Sequence, residues 1–153
     1  MQEIVFRNRN NLLVGNLFLP PSFSDSSRYE SVIVVGPSNV MYSETSIIYA
    51  KQLSLRGFVT LCFDPTFFGK SSGLPRDLED PETRVEDIKC AVDYLLTLPF
   101  VDEEKISLLG ICTGGGYAVK AATTDYRISA LATIVGSNIG SFYREILGRT
   151  ALR

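Results

Sequence analysis

The residues best suited to chemistry form a short motif bounded by glycines, Gly110-Ile111-Cys112-Thr113-Gly114. It lies between a predicted strand and a predicted helix, which is the context of a nucleophile elbow, usually written G-x-S-x-G. The central residue of such a turn is strained, and the flanking glycines avoid collisions with the adjoining strand and helix. The N-terminal end of the following helix favours a thiolate, and the N–H of Thr113 is placed to bind an oxyanion. The motif therefore predicts Cys112 as a nucleophile and the Thr113 backbone as one half of an oxyanion hole.

Other interpretations of this motif differ in how well they fit. A glycine-rich strand–helix turn holding a buried structural cysteine is the simplest alternative and stays open at this stage. A phosphate-binding loop is excluded because no Gly-Lys-Ser/Thr follows. A dinucleotide fingerprint is excluded because Gly114-Gly115-Gly116 has the wrong spacing.

Composition excludes several other classes of function. The 153 residues carry a net charge of −2, with acidic and basic residues mixed along the chain, so we expect neither a nucleic-acid nor a membrane partner. The N-terminus lacks the apolar core of a secretory signal. Three widely spaced cysteines and no histidine predict no metal site and no cofactor, and a cytoplasmic protein with reduced thiols. The absence of histidine also removes the usual general base.

Six short apolar segments predict strands. They are Ile4–Phe6, Leu13–Leu19, Val32–Val35, Phe58–Phe63, Lys105–Leu109 and Ile128–Val135. The third and fourth are rich in apolar residues without alternation, which indicates strands buried on both faces.

Helical segments alternate with the later strands. Ser43 could cap a helix that ends before Gly57. Asp80-Pro81 is a good helix start, and Pro99 ends that helix. Small residues over Gly114–Thr123 form a third helix, and Phe142–Leu147 is weakly helical. This order predicts a single α/β domain over residues 1–153, a three-layer αβα sandwich whose sheet is antiparallel at first and then mostly parallel.

Beyond the Cys112 motif, the sequence resembles the dienelactone-hydrolase-like branch of the α/β-hydrolases over nearly its whole length. The matching segments are Gly57–Leu61 leading into Phe63-Asp64, Phe68–Gly73, Asp80–Ile88, Ala91–Leu95 and Leu109–Tyr117. The resemblance implies an eight-stranded, mostly parallel sheet that hydrolyses esters or lactones through a Cys/Ser–His–Asp triad.

The resemblance also implies a second oxyanion donor in the loop after the third strand, Gly36-Pro37-Ser38-Asn39. Pro37 has no N–H, so Ser38 is the better candidate; Asn39 could serve instead, and Ser38 as an ordinary turn residue stays open. Many relatives have His-Gly or His-Pro where this chain has Gly36-Pro37, so the loop departs from the family pattern.

In this family the triad acid follows the seventh strand and the histidine follows the eighth. The chain is therefore expected to be a domain truncated after about the sixth strand, without its acid and histidine. This implies a hydrolase by descent that is inactive as it stands. A non-catalytic binding or interaction module, or a decayed gene product, are the alternatives. If the chain is active, its partner is a small-molecule ester or lactone.

The remaining reactive residues are given structural roles. Asp64 is expected to order a loop and Lys70 to be solvated, although either could in principle replace a missing base. Cys62 and Cys90 are read as structural. Because the sixth strand would lie at the edge of the sheet, Ile128–Val135 is expected to mediate self-association.

Overall fold

The computed structural model describes residues 1–37 and 42–151. Within them, six strands form one sheet. They are β1 (Gln2–Asn8), β2 (Asn11–Phe18), β3 (Tyr29–Val35), β4 (Val59–Phe63), β5 (Val101–Ile111) and β6 (Ile128–Ile134). All six predicted strands are confirmed.

The strand order in the sheet is β1-β2-β4-β3-β5-β6. The first two strands form an antiparallel hairpin, and β2 pairs antiparallel with β4. The pairs β4–β3, β3–β5 and β5–β6 are parallel. The predicted change from an antiparallel start to a parallel sheet is therefore confirmed. As a consequence, the last residues of β3, β4, β5 and β6 meet at one edge of the sheet.

Helices cover both faces of this sheet. They are α1 (Tyr42–Ser54), α2 (Pro81–Leu96), α3 (Thr113–Ala122) and α4 (Ile139–Ala151). Apolar residues of α2 and α3 join the larger core cluster on one face, for example Ile88, Leu95 and Ala121. On the opposite face, Ala50 of α1 joins a smaller cluster with Val34 and Cys62. This is the three-layer αβα arrangement that the element order predicted.

Several boundaries differ from the sequence-based expectation, and three of the differences have an identifiable reason. Helix α1 begins at Tyr42, so Ser43 lies inside its first turn rather than at its cap. Strand β5 begins at Val101, earlier than predicted, because residues 102–104 are polar and carry no apolar signal. Helix α4 begins at Ile139, where the Asn138 side chain accepts a hydrogen bond from the Ser141 N–H at 2.9 Å. That capping asparagine was overlooked.

Strand β6 lies at the edge of the sheet, as expected. Five consecutive residues, Ser129–Thr133, are exposed on both faces of the strand. In the part of the chain that the structure covers, no helix combines the length and the apolar character needed to cross a bilayer.

Candidate functional site

Cys112 occupies the turn between β5 and α3, as the sequence predicted. We call Gly110–Gly114 the Cys112 turn. Cys112 has φ 54° and ψ −123°, a left-handed backbone that non-glycine residues rarely adopt. Its N–H donates to the carbonyl of Ile134 at 2.9 Å, and its own carbonyl accepts from the N–H groups of Gly115 and Ser137 at 2.9 and 3.0 Å. These three bonds hold the strained residue between β6 and α3.

Glycines make this turn possible because backbone segments pass very close to it. A Cβ on Gly110 would lie 2.5 Å from the Cα of Gly115. A Cβ on Gly114 would lie 2.4 Å from the carbonyl oxygens of both Val35 and Gly36. No real Cβ tolerates such distances from backbone atoms. Each glycine is therefore required by the packing of α3 against the ends of β3 and β5.

The side chain of Cys112 is exposed, which rules out the alternative of a buried structural cysteine. The other two cysteines differ from it. Burial raises the pKa of the Cys62 thiol to about 12 and that of Cys90 to about 11. Neither thiol is thus poised to ionise near neutral pH, and their predicted structural roles fit these environments.

Of the two predicted oxyanion donors, Thr113 and Ser38, only Thr113 lies among the residues that the structure describes. Thr113 is the first residue of α3, and the first N–H groups of a helix point out of its N-terminal end. The N–H of Gly115 is not a candidate donor, because it already bonds the Cys112 carbonyl. Ser38 and its alternative Asn39 lie outside the described residues. The described part of their loop, Gly36-Pro37, begins directly against α3.

Sequence reasoning overlooked the loop after β6 as part of this site. Ser137 donates to the Cys112 carbonyl, and the Cα of Gly136 lies 2.7 Å from where a Cβ of Gly115 would be. Val135 is 84% exposed and has φ 50°, which is rare for a β-branched residue. In the sequence, only Gly136, directly after the predicted strand, indicated that the loop after β6 approaches α3 closely.

Asp64 and Lys70 have the structural roles that were expected of them. The Asp64 carboxylate accepts the Lys70 N–H at 2.9 Å and packs under Gly69, where a Cβ would lie 2.2 Å from it. The Lys70 ammonium pairs with Glu3 at 2.5 Å and is 69% exposed. Its hydrogen bond to Glu3 raises the pKa of Lys70, which keeps it protonated and unsuited to act as a base.

A buried carboxylate fixes the start of the loop after β4. Asp87 on α2 accepts hydrogen bonds from Asn8 at 2.7 Å and from the Thr66 N–H and hydroxyl at 2.8 and 2.7 Å. Burial raises the pKa of Asp87, although these donors and Arg84 oppose the shift. The network joins β1, α2 and this loop.

An open cavity of about 400 Å³ lies beside the Cys112 turn, between α2, α3 and the start of α4. Val85, Thr113, Tyr117 and Ile139 contribute to its lining, whereas Cys112 does not. The cavity is therefore next to the turn on its α2/α3 side rather than over the thiol.

Known proteins share this sequence and fold. The chain is 40% identical over 146 residues to the uncharacterized protein YcjY of Escherichia coli K12, covering 94% of this chain and 48% of the relative. It is 37% identical to the hypothetical protein PA2218 of Pseudomonas aeruginosa, whose crystal structure matches 86% of this chain and 41% of its own with a TM-score of 0.80. The chain thus spans about half the length of the relatives it matches, or less.

Two further comparisons indicate the class of protein. Residues 84–147 match the family described as BAAT / Acyl-CoA thioester hydrolase C terminal. The crystal structure of the α/β hydrolase GrgF from Penicillium sp. is 26% identical and covers 99% of this chain and 52% of its own, with a TM-score of 0.73. Together with the αβα sheet, these matches show a relationship to hydrolases. The chain therefore has the α/β-hydrolase fold and is similar to hydrolases that share it.

Proposed function

We propose that this chain carries out the acyl-capture half of a hydrolase reaction, with Cys112 as the nucleophile toward carboxylic ester or lactone bonds. The observation that carries the proposal is the backbone of Cys112, held at φ 54° with an exposed thiol at the N-terminal end of α3. A strained, glycine-packed turn that keeps a thiol exposed is costly for a purely structural residue. It is the arrangement of a nucleophile elbow, which presents the side chain of a nucleophile at the end of a strand.

Thioesters belong to the same substrate class because they also react at a carbonyl carbon and also form a tetrahedral oxyanion. The match of residues 84–147 to a family of acyl-CoA thioester hydrolases supports their inclusion. The dienelactone-hydrolase-like sequence segments support esters and lactones. In each case Thr113 supplies one backbone N–H to the oxyanion, and Ser38 is the proposed second donor.

The reaction has two steps, formation of the acyl-enzyme and its hydrolysis. The Cys112 thiolate attacks the carbonyl carbon, the leaving group departs, and an S-acyl cysteine remains. Release of that acyl group needs an activated water, and the usual base for that step, a histidine, does not occur in the chain. Asp64 and Lys70 are engaged in loop contacts and an ion pair, so neither replaces it. We therefore expect acylation without turnover.

The test uses p-nitrophenyl acetate. The thiolate should form a thioester with the acetyl group and release p-nitrophenolate in a burst no larger than the protein concentration. Mass spectrometry should place the acetyl group on Cys112. The burst should disappear in Cys112→Ala and persist in the matched control Cys90→Ala.

Three results would contradict the proposal or a part of it. An acetyl group located on Cys90 or Cys62 would remove Cys112 from the nucleophile role. Sustained turnover lost in Cys112→Ala would keep the nucleophile but show that another residue activates water, with Asp64 tested first. Failure to form any adduct would favour a binding module.

A further inference from the structure

The loop after β6 contains a valine in a backbone conformation that valine seldom adopts. Val135 directly follows the last residue of the strand and has φ 50°. A β-branched side chain crowds the backbone in this left-handed region, which glycine and asparagine enter more readily. Such a conformation persists only where the surroundings impose it, and conformations of this kind cluster at functional sites. The surroundings of Val135 therefore indicate what the residue is placed to do.

Two hydrogen bonds connect the backbone on both sides of Val135 to Cys112. The carbonyl of Ile134 accepts the Cys112 N–H at 2.9 Å, and the N–H of Ser137 donates to the Cys112 carbonyl at 3.0 Å. Only Val135 and Gly136 lie between these two bonds. Val135 therefore cannot move far from Cys112 without breaking one of them.

The residues after Val135 are fixed against α3 by close packing. The Cα of Gly136 lies 2.7 Å from where a Cβ of Gly115 would be. The carbonyl oxygen of Ser137 lies 2.4 Å from where a Cβ of Gly116 would be. The chain leaves β6 at Val135 and reaches α3 at Gly136, so the positive φ lies where the chain turns. This packing and the two hydrogen bonds to the Cys112 turn hold the strained residue in place.

The register of the sheet places Val135 beside Cys112. Strands β5 and β6 run parallel, with Ile111 paired to Ile134. The residues that follow this pair are Cys112 and Val135, and neighbouring strands lie about 4.8 Å apart. Both residues are exposed, Val135 to 84%. An exposed thiol and an exposed apolar residue thus stand side by side at the carboxyl edge of the sheet.

The chain around this pair offers an apolar surface and no charge. The segments 110–117 and 133–141 contain no Asp, Glu, Lys or Arg. Val135 belongs to neither core cluster, so burial within the fold does not offset its strain. A hydrocarbon chain that lies against a valine is removed from water, which is favourable, whereas a charged chain would find no partner in these two segments.

We infer that Val135 is a specificity-determining residue of the Cys112 site, with its side chain against the hydrocarbon chain of the acyl group, so that the site favours aliphatic acyl groups longer than acetyl. The inference rests on the proposed function, because it presupposes acylation of Cys112. Val135 takes no part in the bond changes. The thiolate sulfur bonds the carbonyl carbon, and the leaving group departs with the electron pair of the bond that breaks. The valine stabilises only the non-reacting part of the acyl group.

The test compares p-nitrophenyl butyrate with p-nitrophenyl acetate, which share a leaving group and differ by two methylenes. Burial of one methylene is equivalent to about fourfold in rate. Because Val135 covers the chain from one side only, we expect acylation of Cys112 to be about three- to fivefold faster with butyrate than with acetate. Both rates are second-order constants from the p-nitrophenolate burst. Each is divided by the rate of the same ester with N-acetylcysteine, so that intrinsic reactivity cancels.

Val135→Thr is the decisive variant. Threonine keeps the β-branch, and with it the size and the backbone strain of valine, but it replaces a methyl with a hydroxyl. The normalised butyrate-to-acetate ratio should fall to about one. Val135→Gly should give the same ratio, and it decides if Val135→Thr does not fold, because glycine adopts a positive φ without strain. Alkylation of Cys112 by iodoacetamide, which carries no hydrocarbon chain, should be unchanged in both variants.

Val5→Thr is the matched control. Val5 is also exposed, to 54%, but it lies on β1 at the opposite edge of the sheet. The same change from methyl to hydroxyl should leave both acylation rates and their ratio as they are in wild type.

The remaining outcomes separate this inference from the proposed function. No preference for butyrate in wild type, or an unchanged preference in Val135→Thr, overturns the role of Val135 while Cys112 remains the nucleophile. A preference lost equally in Val5→Thr overturns it as well. Equal loss of acylation and alkylation in both Val135 variants has the same consequence, because that result describes general damage to the Cys112 turn. If no adduct forms on Cys112 in wild type, the proposed function fails and this inference fails with it.

Discussion

Replacing Gly114 by alanine tests whether the close approach of α3 to β3 is required. A Cβ at this position would lie 2.4 Å from the carbonyl oxygens of both Val35 and Gly36. These are backbone atoms at the end of a central strand, so they cannot move aside as a flexible side chain would. The loop or the helix must shift by about 1 Å to restore ordinary contact.

Two opposing effects determine the size of the change. Alanine gains roughly 1 kcal/mol over glycine in a helix, and less in its first turn. Overpacking typically costs about 1–3 kcal/mol, and two rigid contacts place this site toward the upper end. We therefore expect Gly114→Ala to lower the free energy of unfolding by about 2 kcal/mol. The displacement of about 1 Å that the added Cβ forces on the loop or the helix should also slow acylation of Cys112 by about 100-fold.

Gly148→Ala is the matched control, because it makes the same change in α4, where an added Cβ meets nothing within 4 Å. This variant should be as stable as wild type or gain up to about 1 kcal/mol. Urea unfolding of the three proteins at one pH gives both differences, with the m-value checking that the transition stays comparable. Equal stabilities for Gly114→Ala and wild type would refute the packing argument.

Three further predictions concern cysteine reactivity, pH and assembly. Burial raises the pKa of Cys62 to about 12 and of Cys90 to about 11, so iodoacetamide at neutral pH should modify the exposed Cys112 first. Equal alkylation rates of the three cysteines, measured by mass spectrometry, would contradict this prediction. Burial also raises the pKa of Asp87, so the carboxyl keeps its proton in the folded state at pH values where the unfolded chain, with a pKa of about 3.9, has lost it. The contribution of Asp87 to the free energy of unfolding is therefore full below the unfolded pKa and declines as pH rises through the folded pKa. Unfolding curves measured over this pH range should show the decline in wild type and not in Asp87→Asn. We also propose that two copies of the chain associate through β6. Light scattering should then show dimers or larger species for wild type, and Leu131→Lys, a change at an exposed residue of β6, should shift the protein to monomer. A monomeric wild type at micromolar concentration would exclude this association.

Local signals were sufficient to predict the elements of the fold. The third and fourth strands are apolar runs bounded by polar or glycine residues, and buried parallel strands need no more than that. The start of α2 was equally clear, since the Asp80 carboxylate accepts the Thr83 N–H at 3.0 Å with proline at the first helical position. In these places local preference and tertiary packing favour the same structure.

Long-range contacts could not be predicted in the same way. Arg84 reads as an exposed residue of an amphipathic helix, yet it is buried because Gly36, 48 residues earlier in the chain, lies beside it. The positive φ of Val135 has no sequence signal either, because a β-branched residue adopts it only when its surroundings impose it. The position of Cys112 was predictable from its glycines, whereas the residues that fix its neighbours were not.

The contacts around Cys112 favour one half of an acyl-transfer reaction. Acylation needs an exposed thiol, a fixed backbone and N–H groups near the carbonyl oxygen, and the thiol and the fixed backbone come from β5, α3 and the loop after β6. Deacylation instead needs a base beside the acyl group, and the chain has no histidine while Lys70 is paired with Glu3. Adding imidazole to the acylated protein separates these requirements, because a free base can supply the missing step. If imidazole accelerates loss of the acetyl group from Cys112 more than from an acetylated cysteine peptide, the oxyanion donors are in place and only the base is lacking. Equal rates for both would show that the donors do not act on the acyl group, which would contradict the roles proposed for Thr113 and Ser38.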